Sequence, residues 1–307
     1  MNIQSLSICV PAKKCINDCK FCCSKMHGGD YEDRFTPICS TMSYIEDMKN
    51  RLQYARDNGC NTLMLTGNNE PQQNDNFLRI LGVVNQSLRN PFLNIEMQTS
   101  GAYIDEAKLD FLKSIGVTTV AISVACLTND VVNQAILQTP DESLNIRRLC
   151  KWVKARNMNL RLCLNMNDFM SEKVSQIDEE EFFSPSPDEA IEQIMAWCTE
   201  FGADQITCRA LWTSEDGTEQ ADWIKANVTK KTFDFIKRFK ELVKEKGRYL
   251  DTLEYGSDRY DYNGFSTVVD EDSMAQSDEK KESVKYLILR SDGHLYSKWD
   301  SKASLIF

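Results

Sequence analysis

Apolar and polar residues alternate with period two in a series of short runs, and longer stretches of helical period separate them. Leu6, Ile8 and Val10 alternate with Ser5, Ser7 and Cys9, which predicts a first strand over 5–10. Tyr44, Met48, Leu52 and Ala55 fall on one helical face, so Ser43–Asn58 is expected as a helix stopped by Gly59. The same reading gives strands at 62–66, 93–99, 118–124, 159–165 and 205–210. Helices are expected at about 74–89, 105–114, 141–156 and from Ser186 to about 200. That last helix has a start signal: Ser186 as N-cap, Pro187 at the first position and Glu189 closing a capping box.

Strand and helix thus alternate six times, which calls for a parallel sheet with right-handed crossovers. Strands buried between two helix layers should be continuous apolar runs, and several here are not. Leu93, Ile95 and Met97 oppose Asn94, Glu96 and Gln98; Val120, Ile122 and Val124 oppose Thr119, Ala121 and Ser123. Leu160, Leu162 and Leu164 oppose Asn159, Arg161, Cys163 and Asn165, and Ile206, Cys208 and Ala210 oppose Gln205, Thr207 and Arg209. A curved sheet with a polar, ligand-filled lumen accounts for this. An unpaired buried arginine is costly, so an anionic ligand or a carboxylate should meet Arg161 and Arg209. The fold class expected is α/β: a partial (βα)6 TIM-type barrel over 1–210, with a C-terminal α/β extension over 211–307 packed on it. In that extension 213–228 reads as a polar segment, 229–246 as a helix, and 251–283 as loops with a short strand near 265–269. It ends in a β-hairpin from Tyr286 to Tyr296 around Asp292-Gly293. Arg290, His294 and Tyr296 of that hairpin are placed to close the open side of the barrel.

Charge narrows the partners. A net charge of −10 argues against a nucleic-acid backbone. With only His27 and His294, histidine-based acid–base chemistry is a poor expectation. No apolar run approaches the roughly 18 residues of a membrane span, and Met1–Pro11 lacks a secretory signal. A cytoplasmic location follows, with the 12 cysteines reduced. Cys9, Cys60, Cys126, Cys150, Cys163, Cys198 and Cys208 are scattered and read as small buried apolar residues.

Three cysteines are not scattered. Cys15, Cys19 and Cys22 lie within eight residues as C-x3-C-x2-C. A loop of that spacing can wrap one face of an iron–sulfur cube and bind three of its four irons. Fully protein-ligated clusters use four cysteines, so three leave one iron open, as a catalytic metal site keeps an open position. A zinc site completed by Cys23, His27 or Cys39 is the competing reading, although the paired C-x2-C of a zinc ribbon is missing. A redox pair at Cys22-Cys23 would be a strained vicinal disulfide.

The cysteine spacing resembles the signature of the radical S-adenosylmethionine (SAM) superfamily. The resemblance implies an oxygen-sensitive [4Fe–4S] cluster whose open iron chelates SAM, and reductive cleavage of SAM to a 5′-deoxyadenosyl radical. Thr66-Gly67-Asn68-Asn69-Glu70-Pro71, one strand later, resembles the family's G-x-G-E-P turn that holds the SAM amino group. Asn69 stands there in place of glycine, and asparagine tolerates positive φ. By similarity Gly67, Asn68, Asn69 and Glu70 would hold SAM, Ser123 and Asn165 its ribose or carboxylate, Arg161 its carboxylate, and Phe21 would pack beside adenine. Ala121-Ile122-Ser123 and Ile206–Leu211 are most similar to viperin-like and molybdenum-cofactor cyclase-like members. No cysteine follows Cys208, so no auxiliary-cluster domain is expected. On the substrate side stand Gln98, Tyr103, Thr207 and Arg209, the last suited to a phosphate or carboxylate. The reading is hydrogen abstraction from a small anionic substrate, nucleotides included, with a flavodoxin- or ferredoxin-like electron donor. A peptide substrate is the nearest alternative. A non-catalytic zinc- or cluster-binding regulator is the alternative of another class.

Overall fold

Period-two alternation places the strands where the sequence puts them. A computed structural model describes residues 2–26, 36–172, 186–215, 217–253, 257–270, 283–299 and 301–307, so the zinc-ligand candidate His27 lies outside the described residues. Strands β1 (Asn2–Cys9), β2 (Thr62–Thr66), β3 (Asn94–Thr99), β4 (Thr119–Val124), β5 (Asn159–Met166) and β6 (Gln205–Ala210) pair in chain order, all parallel. The helices between them are α1 (Cys23–Met26), α2 (Met42–Asp57), α3 (Asp75–Gln86), α4 (Glu106–Ser114), α5 (Asp130–Leu137), α6 (Ile146–Ala155), α7 (Asp168–Glu172) and α8 (Pro187–Glu200). The remaining elements are α9 (Glu219–Asn227), α10 (Lys230–Lys246), β7 (Arg248–Thr252), β8 (Asp258–Tyr262), β9 (Phe265–Asp270), β10 (Ser283–Leu289) and β11 (Leu295–Tyr296).

The C-terminal strands join both edges of the barrel sheet, whose order is β11-β10-β1-β2-β3-β4-β5-β6-β9-β8-β7. Strand β10 pairs parallel with β1, and β9 pairs parallel with β6. The partial barrel is therefore lengthened on either side by chain far away in sequence.

The apolar parity of each strand packs outward under the helices. Leu63, Leu65, Ile95, Met97, Val120, Ile122, Leu160, Leu162 and Ile206 are all buried in one cluster with Leu52, Phe77, Leu109, Leu149 and Ile191 from the helices. The opposite parity faces a lumen. The capping box at α8 forms as expected: Ser186 N donates to Glu189 Oε2 at 2.7 Å, and Glu189 N to Ser186 Oγ at 3.3 Å.

Four expectations need correction. Leu93 precedes β3 and is exposed, so Ile95 and Met97 are the apolar residues of that strand's buried face. The helix expected at 141–156 begins at Ile146 on the N-cap Asn145, and a separate helix, α5, precedes it on the N-cap Asn129. Gln138, left-handed at φ 45°, ends α5 and breaks the run. The polar segment 213–228 holds α9, capped by Thr218 and burying only Ala221, Ile224 and Gln220, a face too narrow for a clear period. Finally, 248–270 is a three-strand meander, not loops around one strand: β7 and β8 are antiparallel, as are β8 and β9. Its signal was present. Asn263-Gly264, both at positive φ, make the two-residue turn between Tyr262 and Phe265 that favours this dipeptide.

Among the described residues no helix is long and apolar enough to cross a membrane.

Candidate active site

The cysteine loop leaves β1 at the C-terminal mouth of the sheet, the end where barrel sites form. Cys15, Cys19 and Cys22 are all half-buried on it. Cys22 N donates to Cys19 O at 3.2 Å, which turns the last part of the loop into the short helix α1. Two backbone bonds dock the loop on the end of α5: Lys20 N to Ile136 O at 2.9 Å and Asp18 N to Gln138 O at 3.4 Å. These use carbonyls that a helix end leaves without intrahelical donors. The helix absent from the sequence reading is thus one of the loop's supports.

The second support is the turn after β2. Gln73 grips the loop from both sides, accepting from Ile16 N at 3.2 Å and donating to Lys14 O at 2.7 Å. Glu70 lies behind it, 8% exposed. Its carboxylate accepts from Asn17 Nδ2 at 3.0 Å, Thr99 Oγ1 at 2.6 Å, Gln72 Nε2 at 3.0 Å and Ser100 N at 3.1 Å. Asn17 Nδ2 also reaches Ser100 Oγ at 2.6 Å. One carboxylate therefore joins the cysteine loop, its own turn and the end of β3. Asn17, Gln73, Thr99 and Ser100 were not legible as site residues, since only the folded chain brings them together.

Gly67 opens this turn at φ +116°, and a Cβ there would lie 3.0 Å from Cys9 Cα and 3.2 Å from its Sγ. The positive φ falls on Gly67 alone; neither Asn68 nor Asn69 adopts it, so the asparagines are tolerated with ordinary backbone. Asn69 Nδ2 instead donates to Val10 O at 3.5 Å. Gly67→Ala is expected to cost about 2–3 kcal/mol from strain and contact with β1. A thermal melt against wild type checks this.

Burial raises the thiol pKa of Cys15 and, more strongly, of Cys19, and the neighbouring negative groups Glu70 and Cys22 raise both further. The sulfurs are close enough to repel as thiolates, which a bound cation would relieve. Among the described residues no three histidine, cysteine or acidic side chains converge on the point a single ion would take. A cube asks for no such point, because each thiolate meets its own iron. The three cysteines on one braced loop fit that group.

Below the loop the lumen encloses about 750 Å³. The alternating strands line it as their polar parity requires: Glu96, Gln98, Arg161, Thr207 and Arg209 all face it. Arg161 has found the carboxylate its burial called for. Its Nη1 lies 2.8 Å from Glu96 Oε1 and 2.6 Å from Oε2, and its Nε donates to Gln205 Oε1 at 2.8 Å. Gln98 Nε2 donates to the same carboxylate at 3.2 Å. Arg161→Ala should cost about 2 kcal/mol by stranding Glu96, less than for a fully buried pair because the Arg161 side chain is 27% exposed. Urea unfolding checks this, and adding Glu96→Gln should recover part of the loss.

Arg209 differs: among the described residues it has no hydrogen-bond or ion-pair partner, and its register neighbour on β9 is Asp270. Ser123 and Asn165 share the lumen parity but do not line the cavity; Asn165 is buried and donates weakly to Cys163 O at 3.4 Å. Phe21 packs toward α9, its ring 6.4 Å from that of Trp223. Tyr103 stands apart, 54% exposed on the loop after β3 and outside the cavity lining. His294 is likewise exposed, whereas Arg290 lines the cavity and Tyr296 is buried beside it.

Known proteins place this arrangement. The family profile described as the Radical SAM superfamily matches residues 9–167, from the end of β1 through β5. The chain belongs to the radical SAM superfamily. Its cofactors are accordingly a [4Fe–4S] cluster and SAM. Comparison with curated protein sequences gave no match. Among solved structures, SuiB of Streptococcus suis bound to S-adenosylmethionine is similar with a TM-score of 0.56 and 16% identity, over 96% of this chain and 60% of SuiB. Native anSMEcpe with bound AdoMet has a TM-score of 0.60 at 13% identity, over 98% and 75%. HemN, the coproporphyrinogen III oxidase of Escherichia coli, has 0.53 at 12%, over 81% and 54%. At these identities the likeness is one of fold, and this chain spans only 60% of SuiB's length.

Proposed function

We propose that this radical SAM enzyme takes a hydrogen atom from a small anionic substrate held in its lumen, nucleotides being among the candidates. The observation that carries the reading is Arg209: a half-buried guanidinium lining the cavity, for which the described residues provide no hydrogen-bond or ion-pair partner. Arginine in such a place suits a carboxylate or phosphate. A cavity of about 750 Å³ is also of small-molecule size.

When bound, the cluster and SAM supply the reducing electron and the 5′-deoxyadenosyl radical. The chain does the placing. Cys15, Cys19 and Cys22 would hold three irons, with the fourth left to SAM. The turn from Gly67 to Glu70 would present backbone to the SAM amino group, with the Glu70 carboxylate fastening the loop behind it. Ser123, Arg161 and Asn165 are assigned to the ribose and carboxylate, and Phe21 to the adenine side. Gln98 and Thr207 would face the substrate beside Arg209. The 1–210 barrel core and the 211–307 extension act together here, because β9 and β10 complete the lumen wall. A cytoplasmic location and a flavodoxin- or ferredoxin-like donor belong to the same reading.

A peptide substrate is the second reading, favoured by similar structures that carry one: SuiB bound to precursor peptide SuiA, and anSMEcpe with the Cp18Cys peptide. The test is anaerobic reconstitution with iron and sulfide, then dithionite and SAM. Release of 5′-deoxyadenosine, with none in the absence of dithionite, is the expected result. A colourless protein holding one zinc per chain would sink the enzyme reading in favour of a structural metal.

A further inference from the structure

Along β6 the lumen-facing positions come in the order Gln205, Thr207, Arg209, and all three line the cavity. At about 3.3 Å per residue the first and last are roughly 13 Å apart, with Arg209 nearer the mouth that carries the cysteine loop. Arg209 is the end suited to an acidic group. The other end is built differently.

Gln98, Ala121, Arg161 and Gln205 stand in one row of the parallel register across β3, β4, β5 and β6. Ala121 offers only a methyl group, and Arg161 reaches over β4 to Glu96, whose side chain is 6% exposed. This ion pair cancels the charge of the row and also orients its two amides. A carboxylate only accepts, so Gln98 turns its NH2 to Glu96 and its Oε1 away. A guanidinium only donates, so Gln205 turns its Oε1 to Arg161 and its Nε2 away. Among the described residues Gln98 Oε1, Gln205 Nε2 and the Thr207 hydroxyl meet no hydrogen-bond partner. All three side chains are half-buried and line the cavity. A molecule that fills the lumen strips water from them, and it binds well only if it returns the hydrogen bonds.

Resting on the reading of the lumen as a substrate site, we propose that this row is the neutral end of that site. It takes an uncharged group that gives an N–H to Gln98 Oε1 and a C=O to Gln205 Nε2. The substrate lies along β6, with its acidic group on Arg209 and its amide-type groups at the row. The base of a nucleotide and the amides of an acylated dipeptide share that chemistry.

Calorimetry on the reconstituted, SAM-saturated, unreduced protein tests it with two probes, uridine 5′-monophosphate and N-acetylglycylglycine. Their counterparts without amide-type groups are ribose 5-phosphate and octanoate. At least one probe should bind about tenfold or more tightly than its counterpart. Gln98→Met and Gln205→Met keep the length of the side chain and lose its polar end. Each should weaken that probe about fivefold to tenfold and leave the counterpart unchanged. Arg209→Ala should weaken probe and counterpart alike. Which probe wins tells base from peptide amide. The neutral end is overturned if neither probe outbinds its counterpart, or if both methionine variants bind the probe as wild type. It is overturned too if those variants weaken probe and counterpart equally. An Arg209→Ala protein that binds both as wild type overturns the placement along β6. Probe binding lost in the methionine variants, in a protein that never releases 5′-deoxyadenosine, would keep the neutral end and end the proposed reaction.

Discussion

Cys19→Ala will leave the chain folded and abolish its chemistry. Cys19 is half-buried on a loop whose anchors are the backbone of Lys20 and Asp18 and the side chain of Asn17, none of which needs the thiol. The fold cost should be small, about 1 kcal/mol. The cost to the site is of another order, because a cube deprived of one of three protein ligands is not retained at the open-iron arrangement. Iron and sulfide per chain should fall to near zero after reconstitution, and 5′-deoxyadenosine to the background of cluster-free protein. Cys23→Ala, one position beyond the motif, should keep both. A Cys23→Ala variant that loses its metal would instead point to a fourth cysteine ligand and a different centre.

The second large effect is expected at Glu70, and it should look unlike a lost SAM contact. Alanine there removes the acceptor shared by Asn17, Thr99, Gln72 and the Ser100 amide, leaving buried donors with nothing to meet. Hydrogen bonds to a charged group are worth about 1.5–3 kcal/mol each and do not add fully, so a loss of about 3–5 kcal/mol is reasonable. For a chain of this size that is a fall of roughly 5–8 °C in the melting temperature. Because Asn17 lies between Cys15 and Cys19, cluster loading should fall as well although every cysteine remains. Melting and iron content measured on the same samples check both. A Glu70→Ala protein that melts as wild type and loads iron fully, yet binds SAM weakly, would show that the carboxylate serves SAM and does not brace the loop.

What could be read in the sequence was local. C-x3-C-x2-C is legible because a loop of eight residues fixes which thiols share one surface. The lumen face was legible for a similar reason: side chains alternate strictly along a strand, so Arg161 and Glu96 could be put on one face, though not paired with each other, before any contact was known. The bracing of the loop was not legible. Glu70, Asn17 and Ser100 are 30 and more residues apart at the nearest to Glu70, and only the parallel register of β1, β2 and β3 brings them together. Helices α5 and α9 escaped because their buried faces are short and their evidence is in caps, Asn129 and Thr218, not in period. The Asn263-Gly264 turn is a local signal too, but the polar residues around it give its flanking strands no clear apolar alternation.

The account depends on one cluster at Cys15, Cys19 and Cys22 with an iron open to SAM. Electron paramagnetic resonance of the dithionite-reduced, reconstituted protein, recorded with and without SAM, tests this most directly. The account predicts a [4Fe–4S]+ signal that changes when SAM is added and is missing from Cys19→Ala. A cluster signal indifferent to SAM, or one that survives Cys19→Ala intact, would contradict it.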